Sequence, residues 1–288
     1  MIRFLLMSLF ATLAHAQVAL VHVHGLSYSA DGKSLMIPSH HGLAIYEAGK
    51  WSKAPGPEHD YMGFSGTARH IYTSGHPAPG SGLVNPFGLL RSRDGGKTWD
   101  KLALEGESDF HVMAAGWNSN AVYVWNAGPN SRMKTPGLHY TLNDGFTWKK
   151  ASADGLAGDV RSIAVHPDNP SMLAIATTQG LHVSSDHGDR FSKVTNGETF
   201  APFFDLDGKH IWHAGFSAGK HVLVRMPTGG GQRLQIALPR LQEDAVGFLA
   251  QNPVARDEYA IATFQRDVYV SKDQGQTWKR IARRGNTS

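Results

Sequence analysis

Past residue 17 the chain alternates apolar and polar residues in short runs, broken by Gly, Asp, Asn and Pro. The stretches "SIAVHPDNPSMLAIATTQGLHVSSD" (162–186) and "EYAIATFQRDVYVSKD" (258–273) show the rhythm. Apolar residues at every second position read as strands with one face against a core, and the breakers read as tight turns. No run keeps a helical period beyond two turns. The pattern predicts an all-β chain.

Four octapeptides punctuate these strands: "SRDGGKTW" from Ser92, "TLNDGFTW" from Thr141, "SSDHGDRF" from Ser184 and "SKDQGQTW" from Ser271. In each, an acid or amide side chain can accept hydrogen bonds from turn amides. A glycine can take a positive φ, and an aromatic residue can wedge between neighbouring sheets. The third-position residues Asp94, Asn143, Asp186 and Asp273 are spaced by 49, 43 and 87 residues, the last close to two periods. A worn copy, "PTGGGQRL" from Pro227, fills the gap, and another, "YEAGKW" from Tyr46, precedes the first full one. Six units of about 45 residues account for the chain after residue 16. A period of this size with several strands per unit predicts a propeller. The expectation is one domain over 17–288, a six-bladed β-propeller of four-stranded blades with little strand exchange between its ends. A seventh blade has no residues left to build it.

The octapeptides match the pattern S-x-D-x-G-x-T-W and so resemble Asp-box, or BNR, repeats. The resemblance implies that each box turns the third strand of a blade into the fourth, on the face opposite the functional one. That face would collect the starts of the innermost strands and the loops from second to third strands. Aligning the innermost strands sets His22 against Asp60, Asp109, Asp159 and Asp244. It sets His24 against Met62, His111, Arg161 and Val246. The loops add His40 and His41 in blade one, His76 in blade two and His213 in blade five.

Sixteen histidines in this chain ask for an explanation, and this register supplies one. His22, His24, His40, His41, His76 and His111 are expected at the mouth of the central channel, with Met62 beside them. Neutral imidazole suits zinc, copper, iron and nickel, and thioethers from Met62 and Met113 shift the preference to copper, with zinc the alternative. Asp60 or Asp109 would orient an imidazole through its second N–H. A small anionic ligand would suit the same cluster, and the competing reading is a hydrogen-bonded polar plug.

Composition narrows the partners. Lys and Arg number 28 against 24 acids, too mild an excess to argue for nucleic acid. There are no cysteines, so stability rests on the core and not on disulfides. Arg3, the apolar run "FLLMSLFATLA" and Ala14-His15-Ala16 read as a secretory signal over 1–16. That run is shorter than the roughly 20 residues a spanning helix needs. The expectation is a periplasmic or secreted monomer with no membrane span once the signal is removed. Its partner would be a metal ion or small ligand, a periplasmic protein or a glycan.

The motifs "HVHGL" at His22, "HHGL" at His40, "DYMGF" at Asp60, "SGHP" at Ser74 and "DFH" at Asp109 resemble those of small exported bacterial Asp-box propellers. Such chains are labelled glycosyl hydrolase, sialidase-like or sortilin-like. The resemblance implies a shared site, and the chemistry has to come from the residues. Sialidase activity is not expected, because no Arg-Ile-Pro motif occurs and only Arg161 of the arginines falls at the channel mouth. A glycosidase would need two carboxyl groups about 5 to 10 Å apart, for which Asp60 and Asp109 are the catalytic candidates. A binding or assembly scaffold is the third reading, favoured by the long loops "HPAPGSGLVNPFG" and "NAGPNSRMKTPG".

Overall fold

The computed structural model describes residues 18–217 and 219–287, and the expected signal segment over 1–16 lies outside them. Six four-stranded antiparallel sheets are each formed by strands consecutive in sequence. They span Ser27–Lys53, Asp60–Ala103, Met113–Lys150, Val160–Lys193, Thr199–Ile236 and Val246–Ala282. The chain is a six-bladed propeller, as its repeat predicts, and no helix occurs among the described residues.

Alternation explains the packing. Each strand of a blade shows its apolar positions to one neighbour or the other, and six clusters result, one per blade junction. Met36 and Leu43 of blade one meet Tyr61, Ile71 and Leu90 of blade two. Tyr123 and Leu138 of blade three meet Ile175 and Leu173 of blade four. The last junction, between blades six and one, also takes in Val18 and Leu20 from the amino-terminal segment. There the ring is latched by an isolated bridge between Ala19 and Asn286, with the Leu20 amide donating to the Gly285 carbonyl at 2.9 Å. No blade borrows a strand from the other end of the chain.

The boxes work as their chemistry predicts. In blade two the Ser92 hydroxyl donates to Asp94 Oδ1 at 2.8 Å and accepts from the Gly96 amide at 2.8 Å. Asp94 in turn accepts from the Thr98 amide at 2.9 Å and its hydroxyl at 2.7 Å. That hydroxyl, with the backbone and Ser92 donors, holds the Asp94 carboxyl at about 2. The box glycine has a second duty. Gly188 sits at φ 89°, and a Cβ there would lie 2.5 Å from Leu138 Cδ2 of the preceding blade. Gly96, Gly145 and Gly275 face the preceding blade in the same way. The box tryptophans Trp99, Trp148 and Trp278 are only half-buried, roofing the inter-blade cores, whereas Phe191 in the same slot is buried.

Blade five has the worn box and a different reinforcement. Asp205, 2% exposed, accepts from Trp212 Nε1 at 2.6 Å, from Tyr259 Oη at 2.8 Å and from Arg225 Nη2 at 2.6 Å. One carboxylate thereby ties blade five to blade six.

Candidate functional site

The channel mouth is assembled from strand starts and second-to-third loops, opposite the boxes. In blade one the segment carrying His22 and His24 runs antiparallel to the end of the second strand (Ser34–Ser39). The His24 amide donates to the Pro38 carbonyl and the His40 amide to the Val21 carbonyl. The two histidine pairs therefore face each other, but outside the regular strand, which covers only Ser27–Tyr28. His22 has φ 60°, a left-handed conformation that turns its ring toward its neighbours. Ring centroids lie 4.4 Å apart for His22 and His40, 5.0 Å for His24 and His40, and 6.0 Å for His22 and His24. One nitrogen from each ring lies within 4.8 Å of the other two.

A second group, His76, Asp109 and His111, meets the same distance condition. Asp109 Oδ2 stands 3.1 Å from His76 Nε2 and 2.6 Å from His111 Nε2. His76 Nδ1 is 2.7 Å from Asn85 Oδ1. Both ring nitrogens of His76 are thus engaged, Nδ1 by Asn85 and Nε2 by the Asp109 carboxylate. The groups adjoin, since His76 pairs directly with Asp60 across the first two strands of blade two, and Asp60 Oδ2 is 2.5 Å from His40 Nδ1. Five of the six expected histidines, with Asp109, thus form two neighbouring triads, not one point. His41 is exposed in its turn and joins neither.

Three buried polar atoms here have no protein partner: His24 Nε2, Asp60 Oδ1 and Asp109 Oδ1. Unpaired buried polar atoms are costly, so they mark places where a ligand would be welcome. Burial lowers the His24 pKa to about 4. The Asp60 carboxylate opposes that shift, and His40, His22 and His111 add to it. His24 is held as the neutral form, which is the form that binds metal.

Below the triads a cavity of about 250 Å³ follows the channel, with His24, Met62, His111, Met113 and Arg161 in its wall. Met62 occupies a β-bulge between Tyr61 and Gly63, and Arg161 one between Val160 and Ser162. Simple i, i+2 alternation from Asp60 and Asp159 therefore fails at the strand starts, because the bulge re-aims the side chain. Met113 packs its sulfur toward Gly63 in the core between blades two and three.

Other expected positions fall elsewhere. Asp159 is exposed and joins neither triad. Asp244 is buried and accepts from the Ala245 and Gln265 amides. Val246 packs in the core between blades five and six, and Gly247 takes its place on the channel. His213 lies within a strand, 5% exposed, with both ring nitrogens unpaired. Arg161 reaches the channel but is held by Glu198 at 2.9 Å. In the loop carrying "NAGPNSRMKTPG", Met133 is buried with Leu104 between blades two and three. Asn130 Nδ2 donates to Ser108 Oγ at 2.9 Å, bracing the segment before Asp109.

Two positioning residues escaped the sequence reading. His59 is buried and accepts from the Ala78 amide at 2.9 Å, anchoring the loop after His76, and Asn85 orients His76 itself. Only the adjacency of His59 to Asp60 could have drawn attention to it. A third donor group, Asp205, Asp207 and His210, is of another kind, since Asp205 is saturated by Trp212, Tyr259 and Arg225.

Comparison with known proteins agrees with this architecture. The BNR/Asp-box repeat matches residues 269–280. No curated protein sequence matches the chain. Among solved structures it is similar to the GH74 enzyme of Niastella koreensis, with 15% identity and a TM-score of 0.61, over 93% of this chain and 46% of that one. It is similar also to the hydrazine synthase of Kuenenia stuttgartiensis, at 13% identity and TM-score 0.55, over 91% and 79% of the two chains. A third is YCF48 bound to D1 peptide, at 16% and 0.51, over 92% and 82%. The chain spans less than half the length of the GH74 structures it matches. At these identities the likeness is one of fold. By its turns, its six sheets and these matches, the chain is a six-bladed β-propeller built on BNR/Asp-box repeats.

Proposed function

We propose that the protein binds a transition metal ion at the channel mouth through His22, His24 and His40, copper being favoured and zinc the alternative. The observation that carries this reading is His24 Nε2, buried and unpartnered beside two further imidazoles. A tetrahedral ion with bonds of about 2.1 Å spaces its ligand nitrogens by about 3.4 Å, so a small rotamer adjustment completes the set. Asp60 would orient His40 from behind, as carboxylates do for metal-bound histidines. Met62 in the adjoining wall favours copper, whose softer valence state accepts thioether. The His76, Asp109 and His111 group offers a second, mixed donor set next to the first. Hydrolysis by Asp60 and Asp109 is less well supported, because each has one carboxylate oxygen engaged by imidazole.

The test is metal uptake by protein freed of metal by dialysis against chelator. Copper or zinc should bind at micromolar concentration or below, and His24→Ala and His40→Ala should each abolish the tight phase. Uptake of neither metal, with the fold intact, overturns the reading in favour of the polar plug.

A further inference from the structure

The first triad has a second exposed side. His22, Val23 and His24 form one wall of a cleft of about 500 Å³ at the junction of blades six and one. Phe264, Gln265, Arg266 and Arg284 form the other. These four come from the second-to-third turn of blade six and from the segment after its last strand (Lys279–Ala282), so they belong to the mouth face. Among the described residues, the guanidinium groups of Arg266 and Arg284 have neither a carboxylate nor a hydrogen-bond acceptor. The nearby acids are already engaged: Asp244 accepts from the Gln265 amide at 3.0 Å, and Asp267 from the Arg284 amide at 2.6 Å and from Tyr269 Oη at 2.9 Å. Phe264 is 54% exposed, its edge against Gly247 and 5.2 Å from the Phe200 ring.

The backbone adds an independent observation. Three residues of this one cleft, His22, Arg266 and Arg284, have left-handed φ values of 60°, 67° and 47°. Left-handed conformations are disfavoured for residues with a Cβ and persist where the surroundings impose them, often at ligand sites. Here the Arg266 carbonyl is held by the Gly285 amide at 2.9 Å, so the two arginine turns brace each other.

From these features we propose that the cleft binds a small carboxylate with an apolar body. The carboxylate would be received by the forks of Arg266 and Arg284 and the body would lie on Phe264. Planar guanidinium groups match a carboxylate in geometry as well as charge. A volume of a few hundred cubic ångströms suits a small molecule, and in this mostly polar cleft Phe264 and Val23 supply the apolar surface. The cleft shares His22 and His24 with the first triad, but the carboxylate reading rests on Arg266, Arg284 and Phe264, none of which belongs to a triad.

Isothermal titration of chelator-treated protein with phenylacetate tests it, with phenylacetamide and inorganic phosphate as comparison ligands. Phenylacetate should bind saturably, at least tenfold tighter than either, and shift the ring resonances of His22 and His24 in NMR spectra. The double variant Arg266→Gln/Arg284→Gln should lose at least tenfold in affinity, and Phe264→Ser should weaken phenylacetate but not acetate. All these residues are at the surface, and an unchanged thermal melt verifies the variants. Three results would overturn the proposal: no saturable binding, equal binding by the double variant, or phosphate binding as tightly as phenylacetate.

Discussion

His40 Nδ1 and Asp60 Oδ2 stand 2.5 Å apart, joining the loop of blade one to the innermost strand of blade two. The contact places a proton on Nδ1 and frees Nε2 for a ligand. It also adds negative charge behind the ring, which raises the ring's donor strength. Asp60→Asn preserves the shape and removes the charge. It should weaken copper or zinc binding 10- to 100-fold without changing the thermal melt by more than a few degrees. Unchanged affinity would show that Asp60 does not act through His40.

His213 provides a pH test that is independent of any ligand. Burial lowers its pKa to about 4, against a weak opposing pull from the Ala214 backbone and with help from Arg233. Above pH 6.5 the residue is neutral in folded and unfolded chains alike. As pH falls from 6.5 toward 4, the unfolded chain takes a proton that the folded one refuses, so stability declines by about 3 kcal/mol. His213→Leu should remove this part of the acid loss. Denaturant midpoints measured at pH 7 and pH 4.5 would show the variant's smaller decline; equal declines would count against the assignment.

The box glycines should not tolerate even a methyl group. Gly188→Ala combines a left-handed backbone with a Cβ 2.5 Å from Leu138, at a cost of about 2 to 4 kcal/mol. Gly49 is the control, at φ 81° with nothing within 4 Å of its Cβ position, so Gly49→Ala should carry the backbone part alone. Urea denaturation separates the two, and equal costs would argue that the approach to Leu138 relaxes freely.

The aromatic slot of the box is graded by burial. Phe191→Ala should cost about 3 to 5 kcal/mol, as for a buried ring. Half-buried Trp99 and Trp148 each leave a buried Nε1 without a partner, which offsets part of their apolar gain. Trp99→Ala should cost less than Phe191→Ala, about 1 to 3 kcal/mol. Melts of the two variants decide the order.

The blade count was legible because the box is a local device: Ser92, Asp94, Gly96 and Thr98 close their own turn, so a short motif carries its whole structural meaning. The mouth face followed from register for His22, His24, His40, His76 and His111. Register could not say that Asp60 and Asp109 would divide those imidazoles into two triads, since that depends on approaches between blades. It also failed where bulges at Met62 and Arg161 broke the two-residue period. The His213 position went astray because a histidine inside an apolar strand looks the same in sequence whether it points along the ladder or toward a loop. Phe264 and Arg266 lay in a second-to-third turn and Arg284 just past the last strand of blade six, but no composition signal marked them.

The latch between Ala19 and Asn286 makes the position of the seam arbitrary. Every sheet is complete within its own stretch of chain, and residues 18–20 run beside 285–287. A circular permutant with these ends joined by a short linker and new ends opened between Lys53 and Asp60 would keep all six sheets whole. Such a protein would move its seam away from the cleft of Arg266 and toward the Asp60 side of the mouth. The ring then becomes a scaffold in which the stiffness beside each candidate site is set by where the chain is cut.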